Sequence, residues 1–200
     1  MKYLLWGILA LIVISIMGTM GAYNGLVTSQ EQISANYGVV RVQEQRRYDL
    51  IPNLVSIVQG AAQYERGVLT EVTEARSRVG RLLELSGDDL ANNPDLARQF
   101  LEAQQTMGSA LSRLLVTVEA YPDLSATEGF QTLQVQLEGT ENRISVARRD
   151  VQLSVQTYNR SRRMIPFGLI ASLLGGFEAQ TYFEATPESA EAPQIEFSSN

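Results

Sequence analysis

Two pairs of carboxylates, Glu71 with Glu74 and Glu138 with Glu141, are spaced three residues apart. On a helix that spacing puts both members of a pair on one face, and four such groups inside a bundle would resemble the ligand set of a di-iron carboxylate centre. Those centres also require Glu-x-x-His, and the 200 residues contain no His. Cys is absent too, and Lys2 is the only lysine. This inventory removes the commonest general base near neutral pH, thiol nucleophiles, thiolate metal sites, Schiff-base chemistry and every His-dependent triad. No serine stands in a nucleophile elbow, and Gly168, Gly175 and Gly176 follow no strand that would make them a nucleotide loop. The expectation is a protein that is not an enzyme, with no catalytic residue, metal or cofactor.

The remaining polar residues suggest binding. Arg46, Arg47, Arg148 and Arg149 carry guanidinium groups suited to bidentate contact with phosphates or a partner's carboxylates. With Asp49, Glu138 and Glu141 they form a candidate partner-binding surface. The competing reading makes them helix-to-helix ion pairs with Asp49, Glu141 or Asp150. A second basic cluster, Arg160, Arg162 and Arg163, precedes the apolar stretch 165–177, in which Phe167, Leu169, Ile170, Leu173 and Leu174 form a candidate membrane-surface contact. Thirteen residues are too few to span a bilayer, and the same apolar groups would serve equally to cap the open end of a bundle core.

The elements that would position these groups begin with the uncharged stretch from Leu4 to Ala22, long enough at ~1.5 Å per residue to cross a hydrocarbon core of ~30 Å. A cleaved signal would need small residues before the cut, which Thr19 and Gly21 approximate poorly, and a lipoprotein would need a Cys. Residues 1–22 are therefore expected to be an uncleaved signal anchor. Lys2 precedes the span and no further basic residue occurs until Arg41, which predicts a cytoplasmic amino terminus in the bacterial inner membrane, with the rest of the chain outside the cytoplasm. Gly18 with Ala22 and Gly21 with Gly25 are small-xxx-small pairs that would let spanning helices approach closely. Net charge is −6, and residues 178–200 hold five Glu with no Lys or Arg, a balance that argues against nucleic acid as a partner.

Apolar residues recur at helical spacing from Tyr23 to about Glu84, from Pro94 to about Ala120, and from Ser125 or Thr127 to Pro166, with no period-two pattern. The first tract would make a rod of ~90 Å, so a turn is expected, with Pro52 as its best candidate because Asp49 could cap a new helix there. A single helix kinked at Pro52 is the alternative, and it would place 165–177 far from the bilayer. Ser86 to Asn93 is expected to be a plain loop, after which Asn93 caps a helix opened by Pro94. The predicted architecture is all-α: an N-terminal transmembrane helix, an up-and-down antiparallel four-helix bundle over 23–164, an apolar segment over 165–185 packing on the bundle or membrane surface, and a disordered acidic tail over 186–200.

The sequence resembles the LemA family of bacterial membrane-anchored helical proteins. The resemblance is carried by Arg46-Arg47-Tyr48-Asp49-Leu50-Ile51-Pro52-Asn53-Leu54-Val55, Thr70 to Arg76, Glu119 to Leu124, Leu137 to Ile144, Ala147 to Asp150 and Tyr158-Asn159. It implies a membrane-bound bundle with no established catalytic residues. The expectation is a single-pass envelope scaffold that binds other envelope proteins. The alternative is a self-associating homo-oligomer that contacts or shapes the membrane through residues 165–177.

Overall fold

A computed structural model describes residues 2–60 and 66–180. All regular structure among them is helical: α1 Lys2–Gln59, α2 Arg66–Leu82, α3 Gly87–Asn92, α4 Pro94–Glu119, α5 Pro122–Ser125, α6 Glu128–Arg163 and α7 Phe167–Leu174. The end of the predicted 165–185 segment and the whole of the 186–200 tail lie outside the described residues.

The first helix runs unbroken for 58 residues, about 87 Å at ~1.5 Å per residue, from the apolar stretch to the far end of the bundle. Its first part, through Gly21, is exposed, and burial begins at Ala22 and continues through Leu26, Ile33, Tyr37 and Val40 to Val58. The antiparallel bundle follows from the pairings between elements. Tyr48 faces Arg76 and Gly80 of α2, Glu71 of α2 meets Arg113 of α4, and Ile57 near the end of α1 lies against Gly129 at the start of α6. Further along the same pair of helices Asn36 Nδ2 donates to the carbonyl of Asp150 at 3.1 Å. Packing is closest between α1 and α6 and between α2 and α4, around a core that includes Phe100, Met107, Leu114, Val151 and Tyr158.

Two expectations are corrected. Pro52 lies inside α1, so the chain does not turn there; α2, which begins at Arg66, packs back along α1. The missing N–H of Pro52 leaves the carbonyl of Tyr48 without its helical donor, and Arg76 Nε supplies one at 3.4 Å from α2. The Pro52 ring itself faces solvent. Because a reversal still precedes α2, the long helix does not carry residues 165–177 away from the apolar end of the molecule. The second correction concerns Ser86 to Asn93, which forms α3. Ser86 and Asp89 cap it reciprocally, with Asp89 N–H donating to Ser86 Oγ at 3.1 Å and Ser86 N–H to Asp89 Oδ2 at 2.8 Å. The helix lies on α1 through Ser34 Oγ bonded to Asp88 and Gln30 Nε2 donating to Asn92 Oδ1 at 3.0 Å. Gly87 sits so close to the Ser34 carbonyl that a Cβ would collide with it. The expected cap at Asn93 is present, accepting from Leu96 N–H, and of the two candidates for the start of the last long helix it is Thr127 that caps α6, accepting from Phe130 N–H, while Ser125 lies in α5.

Candidate functional site

Three of the seven residues of the candidate partner-binding surface converge, and they do so partly inside the protein. Arg47 is only 2% exposed and Glu44, one turn earlier on α1, is 0% exposed. Arg47 Nη2 approaches Glu44 Oε2 at 2.6 Å, an ion contact outside hydrogen-bond geometry, and Nη1 donates to Glu141 Oε1 on α6 at 2.5 Å. Nη2 also donates to the Gln104 carbonyl of α4 at 3.2 Å and to its side-chain oxygen. Arg148 Nη2 completes the cluster, donating to Glu44 Oε1 at 2.9 Å. Arg47 is therefore not presented to a partner; its fork joins α1, α4 and α6. Glu44, which the sequence reading missed, sits among the apolar positions of α1 because two guanidinium groups compensate its charge. Burial pushes its carboxyl above the ordinary range, while Arg47 and Arg148 pull it back down. Its signal in the sequence is a Glu at the Val40-Glu44-Arg47-Ile51 spacing of the buried stripe.

This cluster forms the floor of a groove of about 490 Å³ between α4 and α6, walled by Gln105, Ser109, Ser112, Arg113, Glu141 and Arg148. Gln104 Nε2 and Arg148 Nε are buried donors that meet no acceptor among the described residues. The other predicted members stand apart. Arg46 and Asp49 are exposed on α1, where Asp49 accepts from Gln45 Nε2 at 2.8 Å. Glu138 accepts from Gln134 Nε2 at 3.0 Å along α6, and Arg149 is exposed one residue past Arg148. The carboxylate pairs considered for metal are separated by their partners: Glu71 bonds Arg113 at 2.6 Å, Glu141 bonds Arg47, and Glu74 faces solvent.

The second predicted set lies at the other end of the bundle. The chain turns back after α6 so that Phe167 rests on Gly25 and the Phe177 ring meets Tyr23 edge-on with centroids 5.6 Å apart. Gly25 permits this approach because a Cβ there would overlap the Phe167 ring, which also takes Gly25 out of any Gly21-xxx-Gly25 contact between spanning helices. Arg162 Nε donates to the Phe177 carbonyl at 2.5 Å, Tyr158 Oη to the Glu178 carbonyl at 3.0 Å, and Asn159 exchanges two hydrogen bonds with Gln180. Phe167 and Ile170 thus face the bundle, while Leu169 and Leu173 face outward and Arg160 and Arg163 are exposed. Leu174 ends α7.

Comparison with known proteins matches residues 36–197 to the LemA family. The chain belongs to the LemA family. The match covers the buried cluster, the Tyr48–Arg76 contact and the returning C-terminal segment. Among curated relatives, the magnetosome proteins MamQ 1 and MamQ 2 of Paramagnetospirillum magneticum are each 27% identical over 199 residues, covering 89% of this chain and 73% of theirs. MamQ of Magnetospirillum gryphiswaldense is 27% identical over 179 residues, covering 82% of this chain and 65% of its own length. Among the described residues of this chain, one helix, near the N-terminus, is long and apolar enough to cross a membrane.

Proposed function

We propose that this LemA-family chain is a non-enzymatic, membrane-tethered scaffold that presents the groove between α4 and α6 to other proteins of the cell envelope. The observation that carries this reading is the continuity of α1: one helix joins the apolar span to the far end of the bundle, so anchor and bundle share a rigid element and the groove keeps a fixed bearing to the bilayer. The groove's wall offers the exposed side chains of Gln105 and Arg113, hydroxyls from Ser109 and Ser112, and charges of both signs, a surface that suits polar protein contact. The residue inventory supports a binding role, and the relatives are named for a body, the magnetosome, and not for a reaction.

Photo-crosslinking in intact cells from Ser109 is expected to give discrete adducts with envelope proteins, and Ser112→Trp, which fills the groove, is expected to abolish them. Thr28, on the α1–α6 side, serves as the control position and is expected to give none. Adducts that survive Ser112→Trp, or that form equally from Thr28, would remove this groove from the proposal.

A further inference from the structure

We infer that α7 lies in the membrane interface, its inner face holding the bundle and its outer face inserted among lipid headgroups and the first acyl carbons. This rests on the reading of residues 4–22 as a membrane span. Residues 164–173 are apolar on both sides, which neither a solvated surface helix nor a simple core cap requires. Phe167, Ile170 and Phe177 pack on α1 and α6. Leu169 and Leu173, at i and i+4 on the helix, form an opposite stripe that is 56% and 78% exposed, and Met164 and Ile165 in the turn just before it are 50% and 82% exposed.

The position of this stripe identifies what covers it. Phe167 touches Gly25 and Phe177 touches Tyr23, only one to three residues beyond Ala22, so α7 is docked within about one helical turn of the end of the apolar span. A bilayer crossed by residues 4–22 therefore meets α7 without any movement of the bundle. Exposed Arg160 and Arg163 flank the stripe, as expected for side chains facing anionic headgroups, and Tyr23 supplies an aromatic group at the same level. The hydrogen bonds of Tyr158, Asn159 and Arg162 to residues 177–180 fasten the returning chain and fix the height of α7.

The absence of Cys makes single-cysteine labelling direct. The full chain, reconstituted into vesicles of phosphatidylcholine with phosphatidylglycerol, is labelled with an environment-sensitive fluorophore at Leu11, Leu169, Leu173 or Val135 in turn. Leu169 and Leu173 are expected to show blue-shifted emission and a loss of signal to nitroxides carried high on the acyl chain, Leu11 a loss to nitroxides carried deep, and Val135 neither. Water-like emission at 169 and 173 with deep quenching at 11 overturns the contact and leaves the anchor intact. A blue shift at 169 and 173 without lipid quenching means protein covers the stripe and also overturns it. An unquenched Leu11 overturns the anchoring reading, and the contact with it. All four substituted positions are exposed, and an unchanged helical circular dichroism spectrum checks that each variant is folded.

Discussion

Arg76 of α2 lies with its guanidinium carbon 3.9 Å from the centroid of the Tyr48 ring and its Nε 3.4 Å from the Tyr48 carbonyl, the one carbonyl that Pro52 deprives of a helical donor. One side chain thus makes a cation–π contact and repairs the helix that a proline would otherwise interrupt. Gly80, one turn along α2, leaves room for the same ring.

The pairing predicts a specific non-additivity. Arg76→Ala is expected to lower stability by about 1–2 kcal/mol, the scale of a long charged hydrogen bond with a cation–π contact. Pro52→Ala restores the amide that bonds Tyr48, so the Arg76→Ala penalty in that background is expected to shrink. Urea midpoints of the four chains, followed by circular dichroism, measure the coupling, and strict additivity would show that Arg76 does not serve this carbonyl.

Arg47→Met leaves Glu44 buried beside only one guanidinium, and a loss of about 3–5 kcal/mol is expected. Adding Glu44→Gln should return part of that loss. The penalty also depends on pH. A carboxyl whose folded pKa is raised binds more protons in the folded state, so its favourable contribution is present below the unfolded pKa and is lost as pH rises through the folded value. Removing Arg47 takes away a charge that lowers that pKa, so Arg47→Met should cost more near pH 7 than near about pH 4, where the unfolded carboxyl begins to protonate. Equal penalties at both values would place the cost in lost packing alone.

Tyr37 is buried on α1, and burial pushes its hydroxyl up to about 12. Its raised pKa means that stability is full below the ordinary tyrosine value of about 10 and falls as pH rises through the folded value. Absorbance at alkaline pH should show a late ionising tyrosine that Tyr37→Phe removes. Complete tyrosine ionisation near pH 10 in the folded protein would contradict this placement.

Helical periodicity, the uncharged stretch from Leu4 to Ala22 and the cap at Asn93 were all legible in the sequence, because each depends on residues close together along the chain. The return of α6 to the apolar end was legible for a similar reason: helix count and order set it, even though the first reversal lies past Pro52 and not at it. Short α3 was hidden because only Leu90 and Ala91 mark its buried side, although the Ser86–Asp89 capping box was visible as two letters.

Tertiary structure decided how the inward charges are compensated. Helical spacing puts Arg47, and not Arg46, in line with Val40, Ile51 and Leu54, but only the fold encloses it with Glu44, Gln104 and Glu141 while its neighbour stands in solvent. A buried guanidinium is tolerable only where groups from other helices supply its acceptors, and those lie 57 and 94 residues away along the chain. The tolerance of Pro52 depends in the same way on Arg76, and the apolar letters of 165–177 divided into an inner and an outer face only when Gly25 and Tyr23 were brought beside them. Local sequence determined the helices and the possible span; distant partners decided what each helix could bury.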